Sequence, residues 1–501
     1  MKNILLLLTV FIAITISACF DDKGNYDYHE INELQITGLP TELQVKYRNA
    51  DTLRATPVIE ATADDGSMPD RYSFKWEAVS QLEAGEIQTT SYIIGEEQNL
   101  NYFVELPDGE YDVNCLVKDT ITRVTWKGTF KLKVTTQLNE GWLVLSDVGG
   151  YARLDLISMS AKEDLVVRDL LREAPQLKGP KSLNVVFDMY YVQWGTDPRF
   201  YLITETTTAT LDVVNYKWDE GNDIRYEMLE YPADFIATNR TAGMGWELLI
   251  SDEYVFGGTT YGQQVLFGVP INFITGDNGN YFNVAPAVGV NTSSTAFNPK
   301  QILYDTSNKR FVTIASNMKN CELISAKESE FSWVTGKDFV WMANSSYDGG
   351  TVYAILQDTE APYSRYLYVM SVMSGITQTK FMKLDYPEIE KATCFAVHPN
   401  NPWVFYAVGN TVYYFDLEGH QANPIHLEGE TITMLKFNLF RGMNALPEMQ
   451  RKLIVGSVKS GSGLNGVVRT YDVPSVIGDE FGVPTMHDGF GTPVDVTYRE
   501  R

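Results

Sequence analysis

Apolar residues fall along this chain in two ways. Ile4 to Ile16 is nearly unbroken apolar sequence, interrupted only by Thr9 and Thr15. It is shorter than the roughly 20 residues that a comfortable membrane span needs. Behind Met1-Lys2-Asn3, and ending in small residues, it reads as a secretory signal over residues 1–18. Beyond residue 30 the apolar positions come in short sets that alternate with polar ones, the period of half-buried strands.

Residues 31–136 break into such sets between turn clusters. Asn32 to Leu39 alternates, and Pro57 to Ala61 forms a second set that ends at Asp64-Asp65-Gly66. Tyr72, Phe74 and Trp76 share the face of a third set, and sandwich domains bury a tryptophan at this point. Pro107-Asp108-Gly109 turns into a strand whose Tyr111, Val113, Cys115 and Val117 face one way. This last element resembles a late strand of an immunoglobulin-like domain of the PKD type. Asp64, Asp65 and Asp70 could be a calcium loop, but turn chemistry explains them more simply.

From residue 137 to 501 a weaker repeat predicts paired strands at a spacing near that of propeller blades. Seven units are expected: 142–145 with 152–156, 200–203 with 210–213, 247–250 with 264–267, and 310–314 with 321–324. The others are 352–356 with 366–369, 404–407 with 411–415, and 452–455 with 466–471. A short helix is expected within Asp164 to Glu173. Thr492 to Tyr498 is a strand without a unit, and it is expected to close the ring within the first blade, because an open propeller leaves unpaired edges. The fold class is therefore all-β: an Ig-like, PKD-type β-sandwich followed by a β-propeller of about seven blades.

Composition narrows the partners. With 40 basic and 64 acidic residues the net charge is −24, which argues against nucleic acid and against docking on anionic head groups. The four cysteines, Cys19, Cys115, Cys321 and Cys394, have neither a disulfide pattern nor zinc spacing. The last three are expected to be small buried hydrophobes, and a Cys321–Cys394 bridge cannot be argued from sequence.

Cys19 stands directly after Ile16-Ser17-Ala18, a pattern that resembles a bacterial lipobox. The resemblance implies cleavage before Cys19, its acylation (palmitate among the chains), and attachment to a membrane by lipid. Residues 19–30 then form a tether. Asp21 and Asp22 resemble the export signal of Bacteroidota lipoproteins, which implies the outer face of the outer membrane. They also suit a solvated tether.

The whole chain resembles the PKD-like lipoproteins of Bacteroidota. The resemblance rests on the lipobox, Asp21-Asp22, Tyr26 to Asn32, Glu140-Gly141-Trp142-Leu143-Val144-Leu145, and Gly489-Phe490-Gly491 with Val494 to Tyr498. It implies an accessory subunit of a starch-utilisation-type (Sus) importer, in which a TonB-dependent barrel and a lipoprotein lid take up oligopeptides or glycans.

Catalytic signatures are thin. His29, His398, His420, His426 and His487 form no zinc motif, and neither a nucleophile elbow nor a Walker loop occurs. His420 and His426 are expected in loops. Ser346 to Tyr353 partly resembles an Asp-box but is expected to be a hairpin turn. No catalytic, cofactor or metal residue is nominated, and the chain is expected not to be an enzyme. A propeller-type glycosidase or lyase is the rival reading, and a purely structural assembly module is the third. Exposed aromatics beside polar groups are the candidate ligand contacts: Tyr190, Tyr191 and Trp194; Trp218; and Asp277, Asn278, Asn280, Tyr281 and Phe282. Tyr191 and Trp194 could equally be blade core, and Asp277, Asn278 and Asn280 could hold calcium.

Overall fold

The computed structural model describes residues 31–46, 52–68, 70–81, 88–136, 138, 140–159, 165–171, 174, 177–186, 199–233, 235–243, 246–258, 267–276, 279–291, 300–439, 447–461 and 463–500. The chain divides into two compact units, Met1–Thr136 and Gln137–Arg501.

The first unit is a sandwich. Its larger sheet runs Glu42–Lys46, Thr125–Thr135, Gly109–Asp119, Tyr72–Ser80, Ser91–Gly95. The pairs Leu34–Thr37 with Val58–Ala61, and Thr52–Ala55 with Leu100–Phe103, form two smaller sheets. The alternation seen in sequence is the inward face: Trp76, Val113, Cys115 and Val117 are fully buried, with Tyr111 close behind. Trp76 keeps its indole N–H satisfied on the Glu97 carbonyl at 2.8 Å. The Tyr111 hydroxyl donates to the Pro107 carbonyl at 2.9 Å, pinning the turn that starts its strand. Asp64 and Asp65 accept the backbone N–H groups of Gly66 and Ser67, as turn residues do.

The described residues of the second unit form a propeller of seven sheets in chain order. Each middle strand is buried on both faces, so it reads as a continuous apolar run rather than an alternation. In Thr351–Gln357, Val352, Ala354 and Leu356 pack toward the fourth blade, while Tyr353 and Ile355 pack toward the sixth. Among the described residues, the other core clusters of this unit are likewise shared between neighbouring blades.

Thr492–Arg499 pairs antiparallel with Gly141–Val148, so the C-terminal strand completes the first blade and closes the ring. The two glycine motifs have a steric cause here. Gly141 has φ +147°, and a Cβ there would lie 2.1 Å from the Ile157 carbonyl oxygen. A Cβ on Gly491 would lie 2.4 Å from the Asp147 carbonyl oxygen, where the seventh blade hands the chain to the first.

Three local expectations are corrected. Within Asp164–Glu173 the chain forms a strand, Leu165–Val167, because this β-branched stretch pairs with the outer edge of the first blade. Trp246–Ile250 pairs with Val255–Gly258 across a short turn, and Phe267, the one described residue of 264–267, bridges to Met228. The outer strand of the second blade is Thr208–Leu211, two residues earlier than expected. Ser346 to Gly350 is the expected tight turn between Asp338–Ser345 and Thr351–Gln357.

Candidate functional site: the central channel

The innermost segment of every blade meets around a cavity of about 430 Å³. These segments are Thr492–Arg499, Pro180–Val186, Asn239–Gly243, Asp338–Ser345, Cys394–Val397 and Glu430–Lys436. The fourth blade supplies residues 284–290, held beside Ile302–Asp305 by bridges at Val284 and Gly289. The volume lies within the range of small-molecule sites, about 300–1,000 Å³.

Polar side chains on these segments tie each blade to the next. Asp495 accepts from the Leu183 N–H at 2.9 Å, joining blades one and two. Asn184 accepts from the Arg240 N–H at 3.3 Å, and Asn239 donates to the Pro286 carbonyl at 3.1 Å. Asn344 both donates to the Val288 carbonyl and accepts from the Val290 N–H. Ser345 donates to the His398 carbonyl at 2.8 Å, and the Cys394 thiol to the Thr433 carbonyl at 3.2 Å. Lys436 and Thr433 close the circle on Asp495 and the Pro493 carbonyl. Inner-strand backbone groups that face another blade thus find partners, as buried polar groups require.

Charge on the wall is mostly consumed in the same way. The Arg240 side chain is fully buried between Glu227 at 2.8 Å and Glu247 at 2.6 Å, with its guanidinium 3.7 Å above the Tyr201 ring. Arg199 is a second partner of Glu247. Arg499 donates to the Tyr216 hydroxyl at 2.7 Å, which in turn donates to the Leu138 carbonyl. Glu500 differs. It lines the channel at 9 % exposure, and burial pushes its carboxyl pKa upward. Trp341, partly exposed on the wall, lies 5.7 Å from Phe395, which gives the channel an aromatic flank.

None of the described sequence-derived ligand residues lines the channel. Cys19, Asp21, Asp22, Tyr190, Tyr191, Trp194, Asp277 and Asn278 lie outside the described residues. Trp218 is half-buried, and its indole N–H has no partner among the described residues. Asn280 is exposed and Tyr281 half exposed, the latter standing edge-on to Tyr254 at 6.0 Å and Phe273 at 5.9 Å. Tyr254 also borders a surface cleft of about 440 Å³ with Lys181, Pro232 and Phe235. Phe282 is corrected: it is 4 % exposed, in the core between blades three and four. Neighbouring residues of an extended segment point opposite ways, so Tyr281 and Phe282 could not both face outward.

Cys115, Cys321 and Cys394 are free thiols, the first two buried and Cys394 partly exposed, its thiol spent on the junction described above. His420 is exposed and bonded to Asp416 at 2.8 Å. His426 sits in the short strand Ile425–His426, not in a loop, at 3.0 Å from the Thr411 hydroxyl. Asn184, Asn344, Trp341 and Glu500 were missed because their role lies across blade junctions and at the channel, which no local pattern encodes. The available signal was an asparagine one strand before several of the apolar runs.

Residues 19–177 match the sequence model of the PKD-like family, a stretch that covers the sandwich and runs into the first blade. No curated protein matches the chain. Among solved structures, a quinonprotein alcohol dehydrogenase-like protein from Bacteroides thetaiotaomicron is similar at 13% identity and a TM-score of 0.48, covering 94% of this chain and 99% of that one. A DUF4784 family protein from Bacteroides caccae is similar at 9% identity and a TM-score of 0.29, covering 93% and 98%. The WD40 domain of SCAP from fission yeast covers 62% of this chain and 74% of its own, at 10% identity and a TM-score of 0.34. The architecture stands on the seven sheets themselves: an all-β chain with a PKD-like N-terminal region and a propeller.

Proposed function

We propose that this chain is a lipid-anchored protein on the outer face of the outer membrane, a non-catalytic subunit that captures ligand for, or docks with, a Sus-type TonB-dependent importer of oligopeptides or glycans. The observation that carries this reading is the construction of the channel. Apart from Glu500, the charged side chains of its wall, Arg240 and Lys436, are bonded to neighbouring carboxylates, so the wall is a rigid container with an aromatic and amide surface. Such a wall suits holding a ligand, because rigid presentation lowers the ordering cost of binding. Cys19 behind Ile16-Ser17-Ala18, and the PKD-like match from residue 19, support the anchored setting. The acidic balance of −24 suits a body held away from anionic lipid head groups by its tether.

The test is purification of the full chain from detergent-solubilised outer membranes of the producing cell. A TonB-dependent barrel should accompany it. Hydrolysis of a glycan or peptide panel by the pure chain would replace the capture reading with the enzymatic one. A barrel partner without any ligand affinity would leave only an assembly role.

A further inference from the structure

Glu500 is the exception on the channel wall. It is 9 % exposed, faces the cavity, and makes no hydrogen bond or ion pair with any described residue. Among the described residues, the cations near the channel already have partners: Lys436 is 2.6 Å from Asp495, Arg240 is held by Glu227 and Glu247, and Arg499 is on the Tyr216 hydroxyl. Glutamates are almost never this buried unless paired, since a lone carboxylate loses its hydration without return. An unpaired one that faces a concave site is where a ligand of opposite charge belongs.

We propose that Glu500 is a binding residue that receives a protonated primary amine of a peptide ligand seated in the central channel. This deepens the capture reading, on which it rests, by favouring peptides over neutral glycans. The ligand chemistry follows from the surroundings. Among the described residues no group of three His, Cys, Asp or Glu could hold a metal ion, and Asp495 is already engaged, so a single positive charge is what the site can balance. An ammonium supplies that charge with three donors, one or two for the carboxylate. Trp341 and Phe395 offer apolar surface to the rest of a short chain. Burial raises the Glu500 pKa, so an arriving ammonium also favours ionisation of the carboxyl that binds it.

The experiment is calorimetric titration of the full chain in detergent with three peptides. Ala-Ala-Ala amide has only an N-terminal ammonium, N-acetyl-Ala-Lys-Ala amide only a side-chain ammonium, and N-acetyl-Ala-Ala-Ala amide has neither. At least one of the first two should bind tenfold or more tighter than the third, and which one does so identifies the source of the amine. Glu500→Gln should erase the difference, while Glu500→Asp should keep part of it. Unchanged melting temperatures show that both variants remain folded. Equal binding of all three peptides, a preference that survives in Glu500→Gln, or no binding at all overturns the assignment. Co-purification with the barrel is read separately, so the importer role can stand when the amine site falls.

Discussion

Lys436 of the seventh blade lies 2.6 Å from Asp495 of the first, and Asp495 also accepts the Leu183 N–H of the second. One carboxylate therefore joins three consecutive blades at the point where the ring closes. Asp495→Ala leaves a backbone donor and an ammonium without a partner. The expected loss is about 2 kcal/mol, the scale of hydrogen bonds to charged groups. Lys436→Met should cost less, under about 1 kcal/mol, because the lysine is a third exposed and water replaces its partner. Urea midpoints of the propeller transition in the two variants check the order.

Closure also has an apolar part. The Trp142 and Tyr498 rings meet edge-to-face at 4.8 Å, with the Tyr498 hydroxyl on Glu140 at 2.9 Å. Tyr498→Ala opens a cavity between the first and last blades, and an aromatic deletion of this kind costs about 3–5 kcal/mol. Hydrogen exchange in the full chain should speed up first in Gly141–Val148 and Thr492–Arg499. Exchange that stays slow in both strands would show that the seal lies elsewhere.

The sandwich depends on one buried carboxylate. Burial works against the ionised form of Asp119, but hydrogen bonds from Asn32, the Thr122 and Ile121 N–H groups and Arg71 outweigh it and hold its pKa well below the usual range. Asp119→Ala removes one partner each from Arg71, which keeps Asp64 at 2.6 Å, and from Asn32, which keeps the Tyr72 hydroxyl, at a cost of about 2 kcal/mol. Amide exchange of Tyr72–Ser80 in the full chain should then accelerate, while the propeller strands keep their rates.

His398 gives the propeller an acid limit. Its ring is buried, which lowers its pKa to about 4, and Arg451 adds repulsion. Nδ1 accepts the N–H groups of Asn400 and Asn401 at 3.1 and 2.9 Å, which requires the neutral ring. The unfolded chain takes up this proton near pH 6.5 and the folded chain only near 4. Stability is therefore complete above about pH 6.5 and falls as the pH drops toward 4, by roughly 3 kcal/mol over the window. His398→Asn should flatten that slope in thermal melts between pH 4 and 7, at some fixed cost in stability.

How much of this was legible in the sequence follows from burial. Middle strands such as Thr351–Gln357 and Trp403–Val408 are covered on both faces, so their composition announces them. Gly141 and Gly491 were visible as motifs, and the carbonyls of Ile157 and Asp147 explain why no side chain fits there. The C-terminal strand was recognisable because it had no hairpin partner of its own. The other inner strands were not legible, since residues such as Asn184 and Asn344 act across blade junctions that local pattern does not encode. The channel with Glu500 therefore went unseen, while Phe282, a core side chain next to an exposed Tyr281, was read as surface.

The proposed acyl chain at Cys19 would hold the propeller and its channel outside the cell. Metabolic labelling of the producing cell with an alkyne analogue of palmitate tests this most directly. The wild-type chain should carry the label and the Cys19→Ala chain should not. An unlabelled wild-type chain would contradict the account.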